Sequence, residues 1–161
     1  MSKSFIKKCV VAINGRKSSV EAAMYSVMLA RTYNIQLKFV YVVDTATLKY
    51  LMNNRFLIAD EKADFEEKLT NDGQSYLAYV QNLAKSKGVI CQVELRFGGV
   101  YSEILKCADD FEADLIILGG RTKDTHARSS VSREENGILM NANCPVMVVV
   151  KPDIEKIFKN F

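Results

Sequence analysis

Cys9-Val-Val-Ala-Ile13, followed at once by Asn14-Gly15, is the stretch that decides the fold of this chain. A continuous apolar run without alternation is typical of a parallel strand whose two faces are both covered. Asn-Gly is a turn pair that ends such a strand. Ser18 and Glu21 then have the spacing of a helix capping box. The stretch therefore predicts a strand over residues 5–13 and a helix after the turn, which is the beginning of an α/β fold.

The alternation of strand and helix patterns continues to the other end of the chain. Further strands are predicted at residues 36–43, 89–97, 114–119 and 145–150. Helices are predicted at residues 58–87 and 130–141, and another helix is predicted to begin at residues 98–99. Residues 45–57 form an apolar connector that we expect to pack against the domain. The third strand has polar residues on one face, which predicts a position near a sheet edge. Right-handed crossovers turn this order into a doubly wound, five-stranded and mostly parallel sheet with helices on both faces.

The composition excludes several classes of protein. A chain of 161 residues, 48% hydrophobic and 25% charged, is long enough to fold as one domain without disulfides or a structural metal. Its 22 Lys+Arg and 19 Asp+Glu give a net charge of +3, and the basic residues are scattered, so we expect no nucleic acid partner. The four cysteines contain no CxxC pair, and the single histidine, His126, does not complete a zinc ligand set. We expect reduced thiols and an exposed His126.

No targeting or membrane segment is predicted. The apolar run at residues 9–13 is too short for a secretory signal, and no apolar segment approaches the length of a membrane span. We therefore expect a cytoplasmic protein with no membrane partner.

The predicted sheet indicates where a ligand would bind. In doubly wound sheets, ligands bind outside the carboxyl ends of the strands, where two adjacent connections diverge. Asn14-Gly15 and Gly119-Gly120 follow the first and fourth strands and are expected to border this crevice. The chain has no GxGxxG after its first strand, no GxxxxGK[ST] and no GxSxG elbow, which disfavours dinucleotide binding, P-loop chemistry and a hydrolase triad. No residue set for dedicated catalysis is predicted.

The segment after the fourth strand, residues 119–132, is the most informative loop. Arg121, Lys123 and Arg128 bring positive charge to it, and three serines precede the next helix. Hydroxyls and free N–H groups at a helix N-terminus bind anions. The residues alone leave two interpretations open, a phosphate-binding loop or a helix capped by Ser130 beside solvated basic side chains.

A series of motifs resembles the universal stress protein family over residues 5–150. The motifs are, in chain order, Val10-Val-Ala-Ile-Asn-Gly15, Val40-Tyr-Val-Val-Asp44, Glu103-Ile-Leu-Lys-Cys-Ala108, Ala113-Asp-Leu-Ile-Ile-Leu-Gly119, Ser130-Val-Ser132 and Asn143-Cys-Pro-Val-Met-Val-Val-Val150. The resemblance implies an adenine nucleotide alpha-hydrolase-like fold with strand order 3-2-1-4-5. It also implies a homodimer that pairs through the last strand, residues 146–150, and it leaves room for an unknown protein partner. Residues 1–150 are then the family domain, and residues 151–161 extend it.

The resemblance further implies a nucleotide site. In the nucleotide-binding branch of the family, an Asp after the first strand and a Val in the second hold adenosine, and a loop G-x-x-G-x9-G-[ST] surrounds the phosphates. The matching positions are Asn14, Val42, Gly119, Thr122 in place of the second glycine, and Ser129-Ser130 after a gap of six residues. A β-branched threonine is poorly suited to a backbone that needs positive φ, so these departures bear on affinity.

These correspondences give the expected site and function. We expect adenosine near Asn14 and Val42, and phosphates near Gly119, Arg121, Thr122, Ser129, Ser130, Val131 and Ser132. The expected cofactor is ATP or another adenine nucleotide, with Mg²⁺ in the case of ATP, or none. The expected role is a regulatory stress-response domain. Two alternatives stay open, a homodimeric interaction module of the same family that binds no nucleotide, and a weak nucleotide hydrolase.

The C-terminal extension has the pattern of a short amphipathic helix. Ile154, Ile157, Phe158 and Phe161 recur at helical spacing. A helix of this length is unstable alone, so it must dock on its own domain or across the dimer. We expect docking on its own domain.

Overall fold

The computed structural model describes residues 4–120 and 132–161. The strands are β1 (Lys8–Ile13), β2 (Gln36–Val43), β3 (Cys91–Phe97), β4 (Leu115–Gly119) and β5 (Val146–Val149). The helices are α1 (Lys17–Tyr33), α2 (Thr45–Asn53), α3 (Ala59–Ser86), α4 (Val100–Phe111), α5 (Arg133–Asn141) and α6 (Ile154–Asn160).

The strands form one sheet in the order β3-β2-β1-β4-β5, and each neighbouring pair is parallel. This confirms the predicted architecture, including the edge position of β3. β1 lies in the middle of the sheet, and its side chains are buried alternately on the two faces. This position explains its continuous apolar run. Val11 packs under α1 and α3, and Val10 packs under α4 and α5.

Two predictions, for the segments that follow β1 and β2, are wrong. α1 begins at Lys17 with Arg16 as its N-cap, and no side chain caps it, so Ser18 and Glu21 do not form a capping box. Residues 45–57 are not a simple connector, because they contain α2. Asp44 caps that helix by accepting hydrogen bonds from Thr47 N at 3.0 Å and Thr47 Oγ1 at 2.7 Å.

Several element boundaries also differ from prediction. β1 starts at Lys8 and β3 at Cys91, later than the predicted residues 5 and 89. α5 starts at Arg133 instead of residue 130, because Ser132 has extended backbone and caps the helix. Sequence patterning does not resolve which of several adjacent serines ends a loop.

The C-terminal helix packs on its own chain. Ile154 and Phe158 of α6 are buried in the same cluster as the inner face of α1. The Arg31 guanidinium lies 5.1 Å from the ring centre of Phe161, and the Lys87 ammonium lies 4.9 Å from that of Phe158. These contacts agree with the expected docking of the extension on its own domain.

Candidate ligand-binding site

A cavity of about 580 Å³ opens at the carboxyl edge of the sheet, between the ends of β1 and β4. These strands are neighbours, but β1 leads into α1 on one face of the sheet, whereas α5 lies on the opposite face. The two connections diverge and leave a crevice between them, which is the usual ligand position in this architecture. Its volume is within the roughly 300–1,000 Å³ of small-molecule sites.

Four predicted site residues line this one cavity. Asn14 follows β1, Val42 lies on β2, Gly119 ends β4, and Ser132 precedes α5. The remaining predicted residues, Arg121, Thr122, Ser129, Ser130 and Val131, lie outside the described part of the chain, as does His126. The fold thus brings together residues that are distant in sequence, as expected for the ends of adjacent parallel strands.

Asn14 has a structural role in addition to its position in the cavity. Its amide oxygen accepts a hydrogen bond from Arg16 N at 3.0 Å, and its main-chain N–H donates to Ser19 Oγ at 3.3 Å. Ser19 Oγ in turn donates to Arg16 O at 2.8 Å. This turn around Asn14 starts α1 in place of the predicted capping box. The amide nitrogen of Asn14 has no hydrogen-bond partner among the described residues, so it can donate to a ligand.

The two glycines at the end of β4, Gly119 and Gly120, are required by packing within the protein. A Cβ at Gly119 would collide with the main chain of Ser18 and lie 2.7 Å from Ser19 N. A Cβ at Gly120 would lie 2.7 Å from Val149 O. We expected these two glycines to border the crevice, and both line it. In the structure, Gly119 lets the first turn of α1 lie directly against the end of β4, which fixes one wall of the cavity.

Ser132 is the residue that caps α5. Its Oγ accepts a hydrogen bond from Glu135 N at 3.1 Å. The capping role that the sequence offered to Ser130 therefore belongs to Ser132. A hydroxyl that accepts in this way keeps its own proton for donation, so Ser132 can still hydrogen-bond an acceptor in the cavity.

Charged residues that sequence reasoning missed also line the cavity. Arg16 and Lys17 stand at the start of α1, and Asp44 follows β2. Glu134 and Glu135 occupy the first turn of α5. Their common signal in the sequence is that each follows a strand or begins a helix at the carboxyl edge of the sheet. Positive and negative groups thus line one crevice.

The cavity has apolar lining on both faces of the sheet. On the side of α4 and α5 this lining includes Val42, Val100, Ile104, Leu118 and Ile138, and on the side of α1 and α3 it includes Tyr41 and Leu69. The ring of Tyr41 is stacked on that of Tyr76, with a centroid separation of 6.3 Å and an interplanar angle of 7°. Burial, with smaller contributions from Asp72 and Tyr76, raises the pKa of Tyr41 above its ordinary value of 10.0. The phenol is therefore neutral at physiological pH, and this part of the lining carries no charge.

A second cavity of about 470 Å³ lies at the opposite edge of the sheet. Its lining includes Gln36 and Gln92 from the amino ends of β2 and β3, and Gly88 after α3. None of the predicted site residues in the described part of the chain lines it. Because ligands in parallel sheets bind at carboxyl ends, we assign the site to the crevice between β1 and β4.

Within residues 4–120 and 132–161, no group of three or more His, Cys, Asp or Glu side chains is arranged to hold a metal ion. Within the same ranges, no helix has both the length and the apolar character needed to cross a membrane.

Comparisons with known proteins agree with this architecture. The model of the Universal stress protein family matches residues 6–150. Universal stress protein MJ0531 of Methanocaldococcus jannaschii is 30% identical over 152 residues, covering 92% of this chain and 85% of that protein.

Solved structures show the same fold. Universal stress protein UspA from Lactobacillus plantarum has a TM-score of 0.74 at 18% identity, covering 92% of this chain and 100% of that one. A universal stress protein family protein from Arabidopsis thaliana, solved with AMP bound, has a TM-score of 0.63 at 16% identity, covering 91% and 94% of the two chains.

Proposed function

The chain belongs to the universal stress protein family, and from that premise we propose that it is a regulatory stress-response protein whose crevice binds an adenine nucleotide. The observation that carries the proposal is the meeting of Asn14, Val42, Gly119 and Ser132 in one cavity of about 580 Å³. Similar solved proteins support the choice of ligand, since three of them hold AMP, dAMP and cAMP respectively.

The chemistry of the cavity fits the two halves of such a ligand. The apolar lining around Val42, on the side of α4 and α5, accommodates the base, and the amide of Asn14 hydrogen-bonds a ribose hydroxyl. The hydroxyl of Ser132 and the main chain near Gly119 face the phosphate. Arg121, Thr122, Ser129, Ser130 and Val131 remain proposed phosphate neighbours on the strength of the family motif. Mg²⁺ belongs to the proposal when the nucleotide is ATP, where it would neutralise phosphate charge.

The proposal is tested by calorimetric titration of AMP and ATP, each with and without Mg²⁺. A pair of matched variants locates the binding. Val42→Trp fills the cavity from β2, whereas Val93→Trp places the same ring on β3, where the side chain is outside the cavity. We expect saturable binding by the wild type and Val93→Trp, and at least tenfold weaker binding by Val42→Trp. Heats equal to dilution for both nucleotides at millimolar concentration would contradict the proposal.

We further propose that the protein is a homodimer that pairs through residues 146–150. β5 is an edge strand, and it is followed by Val150, which is 67% exposed. Val148 within the strand is 37% exposed. An apolar edge strand with unpaired backbone groups favours association with a second copy. The same surface supports the alternative of an interaction module that binds no nucleotide.

The cytoplasmic location is also part of the proposal. All four cysteines are free, and Cys9 and Cys107 are buried. Burial is the main cause that raises the pKa of each of these two thiols from 9.0 to about 12. Free, protonated thiols suit a reducing compartment. Fractionation of cells that express the tagged chain tests this, and recovery outside the cytoplasm would contradict it.

A further inference from the structure

The two helices that begin at the crevice carry opposite charge. α1 has no acidic residue in its first turn, and its start is marked by Arg16 and Lys17, both of which line the cavity. The partial positive charge of the helix N-terminus adds to these two cations. This side of the crevice therefore attracts a phosphate group.

The start of α5 has the reverse character. Glu134 and Glu135 occupy its first turn, line the cavity and are only half exposed. Their carboxylates offset the positive end of the helix, which would otherwise be available to an anion. Asp44 adds a third carboxylate to the lining. A phosphate chain that extends from α1 toward α5 thus approaches negative charge.

We propose that the crevice selects adenine nucleotides by phosphate charge and prefers one phosphate group to three, an inference that rests on the proposed function. Glu134 and Glu135 are the specificity-determining residues. A monophosphate places its charge between the start of α1, with Arg16 and Lys17, and the Ser132 hydroxyl, whereas a triphosphate must place further charges near the carboxylates of Glu134 and Glu135. These side chains are partly exposed, so salt screens the repulsion and the preference is strongest at low ionic strength.

The test compares AMP and ATP, both without Mg²⁺, by calorimetry at low ionic strength. The variant is Glu134→Gln/Glu135→Gln, which keeps the side-chain size and leaves the Ser132 cap in place. The matched control is Asp60→Asn/Glu61→Gln, because these residues are the acidic pair in the first turn of α3 and do not line the cavity. Thermal unfolding verifies that each variant folds.

We expect the wild type to bind AMP about tenfold more tightly than ATP, a difference of about 1.4 kcal/mol. The Glu134→Gln/Glu135→Gln variant removes most of that difference by tightening ATP binding, and the control variant retains it. Equal affinities in the wild type, or a ratio that the variant leaves unchanged, would overturn the charge selection while the proposed function stands. Absence of binding by both nucleotides would overturn the two together.

Discussion

The amide oxygen of Asn14 accepts a hydrogen bond from the main-chain N–H of Arg16 at 3.0 Å, and this bond connects the end of β1 to the start of α1. The nucleotide-binding branch that the chain resembles has Asp at this position. Asn and Asp both provide an oxygen to this turn, so the substitution preserves the local structure. The substitution changes the cavity instead, because a neutral amide replaces the carboxylate, and the amide N–H groups have no partner among residues 4–120 and 132–161.

We therefore expect Asn14→Ala to destabilise the protein and Asn14→Asp to leave its stability nearly unchanged. The alanine variant loses the bond to Arg16 N, at a cost of about 1 kcal/mol in the free energy of unfolding. Urea denaturation followed by circular dichroism measures both. An alanine variant as stable as the wild type would show that the turn does not depend on this side chain.

Gly119→Ala should be one of the most destabilising small substitutions in the chain. The new Cβ collides with the main chain of Ser18, which is held by the first turn of α1 and cannot move as a flexible side chain would. We expect a loss of about 3 kcal/mol in the free energy of unfolding.

Gly88→Ala is the informative comparison for that prediction. Gly88 has φ of +73° but nothing within 4 Å of an added Cβ, so the substitution adds backbone strain without a collision. We expect a cost of about 1–2 kcal/mol. A Gly119 variant no less stable than the Gly88 variant would contradict the tight contact between β4 and α1.

The stability contributed by Asp114 should depend on pH. Its Oδ2 accepts hydrogen bonds from Lys7 N at 2.8 Å and Lys8 N at 3.0 Å. These bonds favour the ionised form and lower the pKa of Asp114 below its ordinary value of 3.8. Because the folded-state pKa is the lower one, the contribution is complete well above pH 3.8 and is lost as the pH falls through the folded-state pKa.

Asp114→Asn is therefore expected to lower the Tm at pH 7 and to differ less from the wild type below pH 3.8. Asp64→Asn is the control, since it removes the same charge from an exposed position in the second turn of α3. Thermal unfolding at the two pH values measures both variants. A Tm difference for Asp114→Asn that is independent of pH would argue against ionisation as the cause.

The proposed dimer predicts a change of oligomeric state in Val148→Lys. A lysine on an exposed edge strand opposes pairing with a second copy. Ile90→Lys is the control, because Ile90 is 95% exposed and precedes β3 at the far edge of the sheet. We expect sedimentation to show a dimer for the wild type and the control, and a monomer for Val148→Lys. A wild-type monomer would contradict the proposed pairing.

Sequence patterning predicts the strands well and the details of the site incompletely. β2 has the predicted bounds because its apolar and β-branched residues end abruptly at Asp44. The order of the strands came from the resemblance, since local patterns do not specify which strands are neighbours. The start of α1 was mispredicted because Asn14 supplies the first turn from outside the helix, which a capping-box pattern does not describe.

The charges of the site illustrate a second limit. Glu134 and Glu135 enter the cavity because α5 begins at Arg133, and that start depends on which serine caps the helix. The sequence offers Ser129, Ser130 and Ser132 as caps, and the structure identifies Ser132 as the residue that caps α5. The residues that distinguish one ligand from another are thus the ones that the sequence predicts least well.

The most direct test of the central claim is a titration of the isotope-labelled protein with AMP, followed by the amide resonances in NMR spectra. The account predicts that the shifted amides cluster at Asn14, Val42, Gly119 and Ser132, with those of Gln36 and Gln92 at the opposite edge of the sheet unchanged. Shifts confined to the second cavity, or spectra unaltered at millimolar AMP, would contradict it.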